Sequence, residues 1–165
     1  DAYGGDLEGR MRLSLEIAED VRAALPDNLP LFVRISAVDA IEGGWEMEDS
    51  LTFARELKAR GVDVIDCSSG GQSPKGATNF KLIRREVDMM TQAVGLITDP
   101  HHAESILQAG DADLIAIGRE ALYNPFWPRH AADAFGLDPE FKTWPPQYAW
   151  WLDKRAQGQR AQAAS

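Results

Sequence analysis

Apolar residues Leu7, Met11, Leu15, Ala18 and Val21 recur three or four positions apart with charges between them. This predicts a helix over 7–24 with one buried face, stopped by Pro26. Leu31-Phe32-Val33-Arg34-Ile35-Ser36 reads as a strand, and alternation puts Phe32, Arg34 and Ser36 on one face and Leu31, Val33 and Ile35 on the other. Gly43-Gly44-Trp45 is a loop. Leu51, Ala54, Leu57 and Lys58 mark a helix over 49–59 that stops at Gly61. A strand over 62–67 runs into the loop Ser68-Ser69-Gly70-Gly71. A short helix over 80–86, a strand over 90–94 closed by Gly95, and a helix from Asp99-Pro100 through Leu107, ended by Gly110, come next. Leu114-Ile115-Ala116-Ile117 has no polar position, as expected of a parallel strand covered on both faces. A last helix is predicted over 128–135. The tail holds Trp144-Pro145-Pro146 and Trp150-Trp151 before drifting into Gln, Ala and Arg, and no element is predicted for it.

One helix is thus followed by four strand–helix units, with strands starting near 31, 62, 90 and 114. Such alternation means a parallel sheet with right-handed crossovers. The spacing is that of a TIM (β/α)8 barrel, which needs eight strands and about 250 residues. The predicted fold class is α/β, half of such a barrel. Residues 1–143 are expected to form the barrel half, and 144–165 a tail suited to an intersubunit contact.

Composition narrows the partners. The 165 residues carry a net charge of -9 and no basic tract, so nucleic acid and anionic membranes are poor partners. No apolar run approaches the roughly 20 residues of a membrane span. The single cysteine excludes an internal disulfide and fits a reducing cytoplasm, the expected location. The sequence opens on Asp1 rather than Met, so it is expected to be processed or cut from something longer.

The densest chemistry is Gly118-Arg119 followed by Glu120-Ala121-Leu122. Gly118 lets a ligand approach the backbone, Arg119 brings a fork of donors, and a helix start offers free N–H groups, which together suit a phosphate. Gly95 closes the preceding strand, so two consecutive strands end in glycine turns, where barrels often bind phosphate. Arg34, inside a strand, needs an anionic partner: either a core carboxylate or a cofactor that it clamps. Trp127, after Asn124-Pro125-Phe126, walls a pocket or simply packs. His101 and His102 point apart on a helix and make no joint metal site. His130 reads as structural and Cys67 as a small core residue. Asp63 and Asp66 are expected to satisfy local backbone. No residue is assigned acid–base catalysis, and no metal is expected.

In order and spacing, these segments resemble the C-terminal half of the Old Yellow Enzyme family, the flavin-dependent NAD(P)H ene-reductases. The resemblance rests on Tyr3-Gly4-Gly5 with Arg10-Met11-Arg12, Val33-Arg34-Ile35-Ser36, Gly43-Gly44-Trp45, Asp66-Cys67-Ser68-Ser69-Gly70-Gly71, Ala93-Val94-Gly95-Leu96-Ile97-Thr98, Gly118-Arg119-Glu120 and Asn124-Pro125-Phe126-Trp127-Pro128, and covers nearly all of 1–152. It implies the second half of an FMN-binding β/α barrel. NADPH or NADH would be the reductant, and an alkene activated by a carbonyl or nitro group the substrate. By the same resemblance Arg34 meets the flavin at N1 and the C2 carbonyl, and Gly95, Gly118 and Arg119 hold the phosphate. The tail Trp144-Pro145-Pro146-Gln147-Tyr148 is similar to the xenobiotic-reductase subgroup, where Trp127 would line the substrate pocket and Trp151 reach a neighbouring subunit's site in a homo-oligomer. The family's substrate-anchoring histidines, proton-donating tyrosine and flavin-tuning cysteine belong to the first four units, which this sequence lacks. The isolated 165 residues are therefore expected to be inactive. The stretch from Ser73 to Phe80 is shorter than is usual in the family. Two other readings compete: a non-catalytic half-barrel that binds phosphate or pairs with another half, and a sugar-phosphate isomerase, for which Asp66 is the one good acid–base candidate.

Overall fold

The structure is a computed structural model that describes residues 1–39, 41–68 and 79–164. The predicted loop at Ser69-Gly70-Gly71 and most of the short Ser73–Phe80 connection lie outside the described residues. The chain divides into two compact units, Asp1–Gly118 and Arg119–Ser165.

In the first unit, α1 (Leu7–Ala24) is capped by Asp6, whose side chain accepts the Gly9 N–H. It is followed by β1 (Phe32–Ser36), α2 (Met47–Ala59), β2 (Val64–Ser68), α3 (Phe80–Val87), β3 (Met90–Val94), α4 (Pro100–Gln108) and β4 (Leu114–Ala116). The predicted order of elements is observed, with ends moved by one or two residues. The strands make one parallel sheet in the order β1-β2-β3-β4. A strand order that follows the chain without reversal, joined by right-handed crossovers, puts every connecting helix on the same face.

Burial follows that arrangement. Ile35 of β1 is buried, whereas Phe32, Arg34 and Ser36 are exposed on the opposite, open face. In β3, Thr91 and Ala93 are buried and Met90, Gln92 and Val94 are not. The core lies between sheet and helices, with Ala54, Leu57, Ile65 and Ile83 fully enclosed. All three residues of β4 are half-buried, and within this chain the strand has one hydrogen-bonded neighbour, β3. On α1 the stripe Leu13, Ile17 and Val21 is exposed, opposite the buried Met11, Leu15 and Ala18.

Two local devices fix this unit. Ser50 is fully buried; its Oγ donates to the Ala37 carbonyl at 2.6 Å and accepts the Trp45 indole N–H at 2.7 Å. The loop after β1 is thereby pinned to α2. The second device appears twice at the amino ends of the strands. Asp63, just before β2, accepts the Leu31 N–H at 2.7 Å, returns its own N–H to the Leu31 carbonyl at 2.9 Å, and lies 3.5 Å from Arg22 of α1. Asp113, just before β4, accepts the Thr91 N–H at 2.9 Å, returns its N–H to the Thr91 carbonyl at 3.0 Å, and takes a bidentate grip from Arg84 of α3 at 3.0 and 2.9 Å. Each arginine lies beside a glycine in the left-handed region, Gly61 (φ 80°) and Gly110 (φ 65°). The Arg84 hydrogen bonds are the main reason the Asp113 carboxyl is held below the usual carboxylate range.

The second unit holds α5 (Arg119–Tyr123), α6 (Trp127–Ala134) and α7 (Pro146–Ala163). Asp138 closes the α6–α7 connection by accepting from the Lys142 and Thr143 N–H groups and the Thr143 hydroxyl. Arg129 stacks on Phe126 and Trp144. The helical tail corrects the sequence expectation. Pro146 sits in a first turn, where proline is tolerated, and Ala, Gln, Leu, Lys and Arg behind it favour helix. α7 has no buried residue, so it lacks the one-sided apolar stripe by which periodicity finds a helix.

Candidate functional site

Strand register aligns Arg34 of β1, Asp66 of β2, Gln92 of β3 and Leu114 of β4 in one row. The first three are joined through a single atom. Asp66 Oδ2 accepts from Arg34 Nε at 2.9 Å, from Arg34 Nη2 at 2.6 Å and from Gln92 Nε2 at 2.9 Å. The carboxylate side chain is 8% exposed and the guanidinium side chain 60% exposed, so the pair is buried at its negative end and open at its positive end. Arg34 Nη1 takes no part in these bonds. Asp66 Oδ1 is buried with no hydrogen-bond partner among the described residues.

Asp66 therefore departs from the expectation that it satisfies local backbone: its partners are side chains on both flanking strands. Asp63 does serve backbone, through Leu31. For Arg34 the structure supplies the core carboxylate of one reading and leaves the outward donor that the other requires. Sequence reasoning missed Asp66 and Gln92 as partners. The signal was present, because Asp66 is the one acidic residue in the four strands and falls level with Arg34 once they pair in register.

At the carboxyl end of β3 the chain turns through Gly95 (φ 117°) and Leu96 (φ 55°). A bulky residue at positive φ is strained, and such strain collects at ligand-binding turns. β4 is hydrogen-bonded to β3, with Ala116 level with Val94, so Gly118 follows the neighbouring strand end. Gly118 is exposed, and a Cβ built there meets nothing within 4 Å. Its own packing does not demand glycine, and the space over its backbone is open to a ligand. Arg119, exposed, opens α5 in the second unit. That helix has five residues, so the macrodipole on which the sequence expectation partly rested is short. Also in the second unit, Trp127 begins α6 half-buried. Trp151 lies on α7, 68% exposed and edge-on to Trp150 at 4.4 Å between ring centroids.

The remaining candidates have quieter roles. Asp99 accepts the His102 N–H at 2.9 Å as a helix cap. His130 packs on Trp144. Cys67 is buried, as expected, and burial first, with the charge of Asp66 second, pushes its thiol up to about 12. Among the described residues no group of three metal-ligating side chains occurs, and no helix is long and apolar enough to cross a membrane.

Residues 1–137 match the model of the NADH:flavin oxidoreductase / NADH oxidase family. The chain is 46% identical over 144 residues to the NADPH dehydrogenase of Halalkalibacterium halodurans, a match covering 82% of this chain and 42% of that protein. It is 46% identical over 140 residues to the NADPH dehydrogenase of Bacillus subtilis, covering 80% and 41%. The chain thus spans about two fifths of the length of these curated relatives. Among solved structures, the histamine dehydrogenase from Rhizobium sp. 4-9 superposes with a TM-score of 0.64 at 25% identity, over 83% of this chain and 21% of that one. The resemblance to the Old Yellow Enzyme family read from the sequence is borne out by these matches. With four parallel strands in chain order, the fold is α/β, the second half of a TIM (β/α)8 barrel, and the chain belongs to the NADH:flavin oxidoreductase / NADH oxidase family.

Proposed function

We propose that the chain is the FMN-holding half of an NAD(P)H-dependent ene-reductase, with residues 1–143 as barrel half and 144–165 as tail. The observation that carries the reading is the pair of glycine turns at the carboxyl ends of neighbouring strands β3 and β4, at the end of the sheet where barrels bind ligands, with the Arg34 side chain 60% exposed on the open face and its Nη1 outside the bonds to Asp66. These residues fit FMN by their chemistry. Gly118 leaves its backbone uncovered, Gly95 and Leu96 turn sharply, and Arg119 adds a cationic fork, as a phosphate requires. Arg34 offers a positive charge to the ring edge that becomes anionic on reduction.

FMN held there would supply hydride transfer from NADPH or NADH to an alkene activated by a carbonyl or nitro group. The chain's own residues bind the phosphate, orient the ring and stabilise its negative charge; none is assigned a proton. Trp127 walls the substrate pocket, and Trp151 reaches a neighbouring copy. The exposed stripe Leu13, Ile17 and Val21 on α1 supports a further element packing there in the complete barrel, as an apolar face of that kind calls for a cover. The test is to purify the complete barrel, titrate it with FMN and follow NADPH oxidation with an enone as acceptor. Arg119→Ala is expected to weaken FMN binding by about tenfold or more, the loss of a charge-assisted hydrogen bond. A protein that takes up no flavin would end this reading.

A further inference from the structure

We propose that Asp66 is a positioning residue that aims Arg34 and sets how much of its charge reaches a bound flavin. The inference rests on the proposed FMN site. It starts from an asymmetry. All three donors of the row converge on Asp66 Oδ2, at 2.9, 2.6 and 2.9 Å, while Oδ1 is buried without a partner among the described residues.

An ion pair kept for stability would be expected to use both carboxylate oxygens, because an orphaned buried oxygen is destabilising. Among the described residues all the donors meet one oxygen instead, which secures orientation. Two bonds from one guanidinium, through Nε and Nη2, fix its plane and its roll. Nη1 is the corner left over, on a side chain that is 60% exposed on the open face. Gln92, one strand further on, holds the carboxylate in place, so Asp66 is braced from both sides.

The same geometry moderates charge. Asp66 is 8% exposed, so little water screens it from Arg34. A ligand on the open face meets the positive end of a dipole rather than a full cation. Removing the negative end while keeping the shape should therefore strengthen the pull of Arg34 on an anionic ring, and removing shape as well should loosen its aim.

The experiment uses the complete FMN-loaded enzyme and reads the midpoint potential by spectroelectrochemistry, with FMN affinity by titration. Asp66→Asn keeps an acceptor for Arg34 and is expected to shift the potential upward. Asp66→Ala frees Arg34 and should give a smaller upward shift with weaker FMN binding. Arg34→Leu should shift the potential downward. If Arg34→Leu lowers the potential but Asp66→Asn leaves it unchanged or lowers it, the role given to Asp66 is overturned while the flavin reading stands. If Arg34→Leu changes neither potential nor affinity, the placement of Arg34 at the flavin fails first. Should Asp66→Asn not fold, Gln92→Glu adds a second negative charge to the row. A downward shift then supports the proposal and an unchanged potential overturns it.

Discussion

Ser50→Ala tests how the loop after β1 is held. The substitution deletes one oxygen from a fully buried site and breaks two bonds, to the Ala37 carbonyl at 2.6 Å and from the Trp45 indole at 2.7 Å. Ala37 is itself fully buried, so its carbonyl bears the cost of an orphaned acceptor, about 1–3 kcal/mol. Trp45 is half-buried and can recover water, so its loss is that of an ordinary hydrogen bond, about 0.5–1.5 kcal/mol. The expected destabilisation is about 1.5–4.5 kcal/mol, a large share of the 5–15 kcal/mol typical of a folded domain. Urea unfolding of the complete barrel, with wild type and variant compared at equal slope, measures it. A double-mutant cycle with Trp45→Phe isolates the indole bond, because Ser50→Ala should cost less once the indole donor is gone. A loss below about 0.5 kcal/mol, the level of a neutral surface change, would falsify the view that Ser50 pins this loop.

Three further expectations follow from other parts of the molecule. The Asp113 carboxyl is held below its ordinary value, chiefly by Arg84, so its contribution to stability is complete above the unfolded carboxylate range near pH 4 and is lost as pH falls through the lower folded value. Acid titrations of stability should therefore lose part of their slope in Asp113→Asn, and an identical acid limb would show that the Arg84 contact confers nothing. With its thiol pushed up to about 12, Cys67 should resist a thiol reagent at pH 8 in the native protein and react fully in denaturant; rapid native labelling would contradict its burial. Truncation after Pro146 removes Trp150 and Trp151, which are 56% and 68% exposed, and should weaken the proposed oligomer and alter the apparent KM for bulky enones. Unchanged mass in solution together with unchanged kinetics would restrict the tail to its own subunit.

Much of the fold was legible because its signals are local. The alternation of Phe32, Arg34 and Ser36 with Val33 and Ile35 needs no partner to be read, nor do the stop at Gly61 or the proline at position 100. The failures involve relations between segments. β4 reads as a strand from its apolar letters alone, whereas its burial depends on what packs against it from elsewhere. α7 was missed because a helix with no buried side imposes no period on its sequence. Gly95, Gly118 and Arg119 stood out by their place directly after apolar strands. The link from Arg34 through Asp66 to Gln92 did not, because it exists only once three separate strands settle into register. The strain at Leu96 left no trace in residue type at all.

The paired clasps at the amino ends of the strands bear on how such a chain is made. Each joins elements close in sequence: Arg22, Leu31 and Asp63 in one, Arg84, Thr91 and Asp113 in the other. Neither reaches into the other, so either helix-strand-helix-strand module can lock without waiting for the next. On the ribosome, where residues emerge one after another, the first module can close before the second has left the exit tunnel. A sheet whose strands pair in chain order, with β1–β2 and β3–β4 each clasped, keeps its closures shorter than pairing of strands distant in the chain would require. The clasps also lie at the opposite end of the strands from the glycine turns, so the contacts that tie the strands together are separate from those turns.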